Sequence, residues 1–436
     1  MKITASLFFA KSLIFPKAEK KSSARKSLFG AMLCIGLSIV PLIVVVSVTN
    51  GMIEGMTERL IGLSSSHLQA YIADSIDEVS SAENLCEYAA GLKEVEGIKN
   101  VFPQVELSAL AAGKNNRSGI EIRAMQKDIF KANKSFNTFF TVLEGSLDSF
   151  EKSGGKDHCA VIGQKLASDL NLHAGDTFRI ISIKKINGRI SPKLTSFSVS
   201  AIISSGYQEL DQFWVFIPLE TAYASLSLES ASYGMLLETS DAFSSDLPRI
   251  QFAVREYFGR YANVYRWDEI HSAEFENFSS TKVLLIFVML LIVLVASINI
   301  SSAVIMLVME RRKEIAILKS IGASPNGIKV SFLLAALACA AGGILFGLPL
   351  GLILSVNANR IIKMLEAVTN FFIHFFSDTS IKLLDPAYYL SEIPVNLPVF
   401  QILLIVFSTL LLSVIVSYIP AKKAGREKPL DILRSL

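Results

Sequence analysis

Val283-Leu-Leu-Ile-Phe-Val-Met-Leu-Leu-Ile-Val-Leu-Val-Ala-Ser-Ile-Asn-Ile-Ser-Ser-Ala-Val-Ile-Met-Leu-Val-Met309 runs straight into Glu310-Arg-Arg-Lys-Glu314, and this junction decides the class of the chain. An apolar run of that length crosses a bilayer, which takes about 20 mostly apolar residues in a helix. Three more runs qualify: Leu28 to Val48, Ile328 to Val356 and Val399 to Pro420. One such run alone is open to reading as a buried soluble helix, but four together are not. Backbone polar groups in lipid must be satisfied internally, so runs this long are helices. The composition agrees, because 19% charged residues falls under the roughly 25% of soluble domains. A net charge of +3, from 42 basic and 39 acidic residues, excludes a nucleic-acid binder with a strong positive field. Four cysteines in 436 residues exclude a disulfide scaffold.

Flanking charge sets the orientation. Lys11, Lys17, Lys20, Lys21, Arg25 and Lys26 precede the first run, and Arg311, Arg312, Lys313 and Lys319 separate the second from the third. Lys422, Lys423, Arg426, Lys428 and Arg434 follow the fourth. If all four helices cross, these three segments share one side, and the excess of Lys and Arg places that side in the cytoplasm. Both termini are therefore expected inside. The first run is read as a retained anchor, since it is longer than a signal peptide's apolar region and no small-residue cleavage site follows in Val46-Ser-Val-Thr-Asn-Gly51. Before it, Leu7, Phe8, Phe9, Leu13, Ile14 and Phe15 among lysines suit a short helix on the inner membrane surface.

The fold class predicted is a membrane protein, α-helical with four transmembrane helices, carrying a large α+β periplasmic domain between the first two. The expected divisions are 1–27 as the interfacial N-terminal helix, 28–50 as the first span and 51–280 as the outside domain. They continue with 281–309 as the second span, 310–327 as a cytoplasmic helix and loop, and 328–356 as the third span. The remainder is 357–398 as an outer loop, 399–420 as the fourth span and 421–436 as a cytoplasmic tail. In the outside domain Thr177 to Lys184 and Ser196 to Ile203 alternate as strands do, and Val215 to Pro218 is a third candidate. Ser244 to Tyr261 and Trp267 to Phe278 have helical spacing, the latter running into the second span. Cys86 and Cys159 lie in this domain, where a disulfide is open to them, although free buried thiols are the plainer reading.

No catalytic constellation stands out. His67, His158, His173, His271 and His374 are scattered, without metal-ligand spacing, and no G-x-S-x-G nucleophile elbow occurs. Gly322-Ala-Ser-Pro-Asn-Gly327 imitates a phosphate-binding loop, but its lysine falls one place late at Lys329 and Val330 stands where a metal-binding hydroxyl belongs. Hydrolysis of nucleotide is therefore assigned elsewhere. Gly343, Gly347 and Gly351 put three glycines on one face of the third span, a spacing that lets helices approach closely. Ser297, Asn299, Ser301 and Ser302 suit hydrogen bonding between helices. After the Glu310-Arg-Arg-Lys start, Ile315, Ile317, Leu318 and Ile321 recur at helical spacing and Gly322 stops the helix. Such a short amphipathic helix either caps the bundle at the headgroups or docks on a cytoplasmic partner.

Glu310-Arg-Arg-Lys-Glu-Ile-Ala-Ile-Leu-Lys-Ser-Ile-Gly-Ala-Ser324 resembles the coupling segment of the four-span ABC permeases that include MacB, FtsX and the lipoprotein-releasing LolC and LolE subunits. Tyr418-Ile-Pro-Ala-Lys-Lys-Ala-Gly-Arg-Glu-Lys-Pro429 with Asp431-Ile-Leu-Arg434 is similar to the ending of that group. Leu294 to Ile300, Met306 to Arg312, Tyr388 to Val395, Asn50-Gly51 with Arg59, and Val161-Ile-Gly-Gln-Lys-Leu-Ala167 with Gly175-Asp176 resemble the lipoprotein-releasing branch. The loop from Asn357 to Pro398, rich in phenylalanine, departs from the pattern.

The resemblance implies a permease in the bacterial inner membrane, without a cofactor of its own, that extracts lipoproteins from the outer leaflet. ATP and Mg would be bound by two copies of a LolD-like ATPase subunit, touched through Glu310, Arg311, Arg312, Glu314, Ile315, Leu318, Ile321 and Gly322. Depth alone points to Val44, Val48, Met52, Phe278, Leu285 and Met289 as the lipoprotein-binding wall. Arg189, Ile190, Ser191, Pro192 and Phe197 resemble the hook by which a LolC-like subunit engages a LolA-like chaperone. The second permease would be a LolC/LolE-like chain or another copy of this one; membrane lipid is a further partner and nucleic acid is not. MacB-like export of peptides or drugs, and FtsX-like control of cell-wall hydrolases, are the alternatives within the group.

Overall fold

Helices long and apolar enough to cross a membrane occur four times among the described residues of this computed structural model, at Leu28–Ser65, Ser272–Glu310, Pro325–Val356 and Val399–Arg426. The structure describes residues 23–74, 76–114, 116–154, 158–186, 189–373, 390, 393–395 and 397–426, with backbone alone at 23–25, 27, 185, 186, 189 and 190. The expected interfacial helix before residue 23, the hairpin tip at 187–188 and the chain after 426 lie outside the described residues. The chain divides into two compact units. One comprises Met1–Gly51, Phe278–Phe375 and Ile393–Leu436, and the other Met52–Asn277 and Phe376–Glu392.

The helices that build the first unit are α1 (Ser23–Arg59), α2 (Ser272–Glu310), α3 (Arg312–Ser320), α4 (Pro325–Val356), α5 (Ala358–Ile373) and α6 (Val399–Arg426). α1 and α2 run on well past their apolar runs, because hydropathy marks where lipid must be met and not where a helix must end. Ile35, Ile39 and Ile43 of α1 share one core with Val304 and Leu307 of α2, Phe332 and Ala336 of α4, and Ala421 and Ala424 of α6. Outward, Phe287, Leu345, Phe346, Phe400 and Phe407 are each more than half exposed, as suits side chains that meet acyl chains.

The glycines of α4 do what their spacing predicts. A Cβ on Gly347 would lie 2.5 Å from the carbonyl oxygen of Gly36, and one on Gly343 would lie 2.8 Å from that of Met32. A Cβ on Gly351 would lie 3.0 Å from Ile43. α1 and α4 therefore meet backbone to backbone, and van der Waals contact replaces the hydrophobic driving force that lipid does not supply. Of the polar cluster of α2, Ser301 bonds between helices, donating to the carbonyl of Val416 in α6 at 3.4 Å, whereas Ser297 and Ser302 donate back to the Val293 and Ile298 carbonyls of α2 itself.

In the second unit ten strands form one sheet among the described residues: β1 (Leu68–Ile72), β2 (Ile98–Ala112), β3 (Arg117–Met125), β4 (Thr141–Gly145), β5 (Cys159–Gly163), β6 (Thr177–Ile186), β7 (Arg189–Ser204), β8 (Trp214–Pro218), β9 (Ser232–Thr239) and β10 (Ala262–Arg266). Their order is β10-β1-β9-β2-β3-β8-β5-β7-β4, with β6 pairing β2 and β7. β3–β8 and β5–β7 are parallel and the other pairs antiparallel, so the α+β expectation holds in a mixed form. The predicted strand at Ser196 to Ile203 starts earlier, at Arg189, because β6 and β7 form one long hairpin. The helix expected over Ser244 to Tyr261 is shorter, at Leu247–Phe258. Cys86 and Cys159 are free thiols.

Arg123 on β3 is 1% exposed. Its Nη1 donates to the Leu63 carbonyl at 2.6 Å, and its Nη2 donates to Ser64 and Gln104 at 2.8 Å. The guanidinium also lies 4.8 Å from the ring centre of Trp214. These bonds close off the carbonyls that end a π-helical turn at Leu60–Ser65, where α1 finishes. Burial pushes the nearby Glu106 carboxyl up, against the pull of this guanidinium.

Gly347→Leu is expected to cost about 1–3 kcal/mol by overpacking, read as a lower thermal midpoint of the detergent-solubilised chain. Gly30→Leu is the control and should not lower the midpoint, since nothing lies within 4 Å of a Cβ there and leucine is the better helix former.

Candidate functional site

The segment Glu310–Ser324 folds as a rigid corner. α2 ends at Glu310, and Arg311, between the two helices, pairs with Glu314 in the first turn of α3. Gly322 adopts a φ of +96°, the left-handed region that favours glycine, and the Ala323 amide closes back on the Leu318 carbonyl at 2.9 Å. Ser324 then caps α4 by accepting from the Gly327 amide at 3.2 Å, with Pro325 in the first turn. The stretch that imitates a phosphate loop is thus one helix stop and one helix start. Lys319 Nζ donates to the Gly425 carbonyl at 2.7 Å, and a Cβ on Gly425 would strike the Pro325 carbonyl at 2.7 Å. Within Pro420-Ala-Lys-Lys-Ala-Gly425 the buried positions Ala421, Ala424 and Gly425 are small because α6 seats there against the start of α4, while Lys422 and Lys423 stay exposed.

This corner corrects one assignment. Ile315 is fully buried in the bundle core with Ile328 and Phe332, so it anchors α3 and is not free to touch a partner. Ile321, at 79% exposed, does face outward, and Ile317, at 54%, joins it. Lys313, Glu314 and Gly322 are exposed beside them, and Leu318 is half-buried. The outward face is therefore a two-isoleucine ridge with charges at its start.

At the end of the bundle remote from α3, a groove opens among α1, α2 and α6. Val46, Thr49 and Asn50 line one wall, Leu285, Met289 and Val293 a second, and Phe400, Leu404 and Ile405 a third. Its volume is about 270 Å³, just below the range for small-molecule sites. One end is polar. The Asn50 side-chain amide donates to Gln401 and to the Val46 carbonyl, and Lys282 is the only charge among the lining residues. Gly51 sits beside this pair with no room for a side chain, since a Cβ would lie 2.0 Å from the Pro394 carbonyl.

Of the six residues chosen by depth, Leu285 and Met289 line the groove. Val44 and Val48 do not, because two residues from Val46 is a turn of about 200° on a helix; Met52 belongs to the second unit and Phe278 is outside the lining. The wall from α6 escaped sequence reasoning altogether. Its only advance signal is a pair of amides, Asn50 and Gln401, at the ends of apolar runs.

The β6–β7 hairpin has an inner and an outer face. Phe178, Ile180, Ser182, Thr195 and Phe197 point inward and are buried. Phe197 is therefore a core residue and not part of a hook, because its register partner Phe178 and its neighbour Val199 share the same core. Pro192 is exposed and Ser191 half-exposed, while the side chains of Arg189 and Ile190 lie outside the described residues. The outward face instead carries Ile183 at 53%, Leu194 at 56% and, on the adjoining β2, Leu110 at 48% exposed. Ile181 bridges them, paired with both Leu110 and Leu194.

With these features in place, the comparisons are specific. Residues 28–257 match the MacB-like periplasmic core domain, and 286–429 match the FtsX-like permease C-terminal domain. Two such domains on four apolar helices define an ABC transporter permease with a periplasmic α+β domain. Within that class, the chain is 25% identical over 408 residues to the lipoprotein-releasing system transmembrane protein LolE of Haemophilus influenzae, covering 92% of each chain. It is 24% identical over 409 residues to LolC of Neisseria meningitidis, again over 92% of each. The macrolide export ATP-binding/permease protein MacB of Bdellovibrio bacteriovorus shares 24% over 299 residues, 66% of this chain and 43% of that one. The chain belongs to the LolC/LolE family of the MacB/FtsX superfamily.

The two faces of α3 are separable by stability. Ile315→Ala is expected to cost about 2–5 kcal/mol as a core truncation, seen as an earlier unfolding midpoint in detergent. Ile317→Ala should stay within about 0.5 kcal/mol of the parent, as surface changes do; equal effects of the two would contradict the assigned orientation.

Proposed function

We propose that this chain is a permease subunit that lifts lipoproteins out of the outer leaflet of the bacterial inner membrane, driven by a separate ATPase, and passes them to a periplasmic chaperone. The observation that carries this reading is the groove: a largely apolar cleft with an amide pair and one lysine at its end. Acyl chains enter its walls, and the amide and ester groups of the lipidated cysteine meet Asn50, Gln401 and Lys282. The names of the relatives that match over 92% of both lengths support the choice of cargo.

Burial arithmetic explains why an energy source is needed. At roughly 0.8 kcal/mol per buried CH₂, three acyl chains hold a lipoprotein in the membrane by tens of kcal/mol. Neither passive release nor a wet acceptor overcomes that. ATP and Mg are held by two LolD-like subunits, and the Ile317–Ile321 ridge of α3 seats in a groove on one of them. Because Ile315 and Lys319 fix α3 to the bundle, a push on the ridge moves the helices instead of bending the corner. A second LolC/LolE-like permease, or a second copy of this chain, completes the pair. The outer face of the β6–β7 hairpin, with Ile183 and Leu194, offers an apolar surface to a LolA-like acceptor.

ATP-dependent release of a triacylated lipoprotein from proteoliposomes separates the two sites. A carboxylate at a lipid-facing position costs about 2.5–3.5 kcal/mol, so Leu285→Asp or Met289→Asp should weaken cargo binding roughly a hundredfold and abolish release. Ile317→Asp with Ile321→Asp should leave cargo bound but unreleased on ATP addition. Undiminished release by the groove variants would reject the acyl-binding assignment.

A further inference from the structure

α5 follows α4 after one residue, and neither the fold nor the proposed transport uses it. Its sequence, Ala358-Asn-Arg-Ile-Ile-Lys-Met-Leu-Glu-Ala-Val-Thr-Asn-Phe-Phe-Ile373, is strongly two-faced. Met364, Leu365, Val368, Phe371 and Phe372 fall at i, i+1, i+4, i+7 and i+8, which is one stripe along a helix. Asn359, Lys363, Glu366 and Asn370 lie on the opposite side.

The stripe faces the wrong way for a helix in water. Met364 is 67% exposed, Phe371 71% and Phe372 64%, and Ala358 is the only buried residue of α5. The polar side is the one tied to protein: Asn359 donates to the Ile393 carbonyl at 2.9 Å and accepts from the Ile393 amide at 3.1 Å. The next residue, Pro394, closes on Gly51 at the polar end of the groove. A helix held by its polar edge while presenting five large apolar side chains needs an apolar medium on the other side.

The place of α5 says which medium. α4 exposes Leu345, Phe346, Ile353 and Val356 to the bilayer, and only Asn357 separates that lipid-facing surface from the start of α5. At about 1.5 Å per residue, the 32 residues of α4 exceed the roughly 30 Å hydrocarbon thickness, so its end reaches the headgroup level. We propose that α5 is an interfacial helix lying in the outer leaflet beside the groove mouth, with Met364, Leu365, Val368, Phe371 and Phe372 immersed among the acyl chains. It displaces lipid where the cargo's own chains enter. The inference rests on the membrane-spanning reading of the helices, and its outer side on their orientation, but not on lipoprotein as cargo.

The test uses the full chain in phosphatidylethanolamine–phosphatidylglycerol nanodiscs, with Phe371→Trp and Asn370→Trp each compared with the parent, whose only tryptophans are Trp214 and Trp267. Phospholipids brominated near the headgroup, or near the chain terminus, are the quenchers. The added emission of Phe371→Trp should be blue-shifted and quenched, more strongly by the shallow bromines, as befits a depth of about 5–10 Å. That of Asn370→Trp should be red and spared. A red, unquenched Phe371→Trp signal would mean a water-exposed stripe and overturn the proposal. A blue, unquenched one would mean cover by protein, either residues 374–389 or a second permease, and would overturn it equally. Neither readout involves cargo or ATPase, so failure here leaves the transport proposal to its own test.

Discussion

The contact on which the rest of the bundle depends is backbone against backbone, where Gly36 of α1 meets Gly343 and Gly347 of α4. Lipid gives apolar helices no reason to associate, so close approach must come from small residues. With α1 and α4 locked, α6 lies along α4 and α2 joins only partway: its buried residues begin at Val293 and continue toward Leu307 and Val308. Within residues 283–292 of α2 only Met289 and Ile292 pack, and partly, against Leu42, Val46 and Ile405, while Leu285 and Met289 form a wall of the groove. A tight seam on one side and an open cleft on the other are two results of the same distribution of glycine.

The corner at α3 follows a similar economy of residue types. Gly322 supplies a left-handed stop, Ser324 a cap and Pro325 a first turn, so the helix enters and leaves the bundle without slack. Ile315 and Ala316 go into the core and Ile317 and Ile321 remain outside, which turns an amphipathic helix into a fixed ridge. Small residues at Ala421, Ala424 and Gly425 let α6 close the other side.

How much of this was legible depended on the range of the signal. The four long apolar helices and the corner between two of them were readable because apolar length and a Gly–Ser–Pro stop and start are local. The groove was only half readable: Leu285 and Met289 follow from depth, but the α6 wall is brought to α1 by tertiary packing across some 350 positions of sequence, as the Asn50–Gln401 pair shows. Ile315 and Phe197 were misplaced for a related reason. Helical or strand periodicity shows which residues share a face, and the partner element decides whether that face is inside. Most of the sheet was hidden as well. β5 is buried throughout, a continuous apolar run without alternation. β2 carries Pro103 in a central strand, tolerated because at that position it pairs only with β9. Arg123, the buried cation that finishes α1's last turn, carried no local motif.

The central claim is that an ATPase outside this chain acts on it through the α3 ridge to move a lipidated cargo. Native mass spectrometry of the complex purified through this chain in mild detergent tests it most directly. The account requires two copies of an ATPase subunit and a bound triacylated protein in one assembly. A stable assembly containing this chain but neither of them would contradict it.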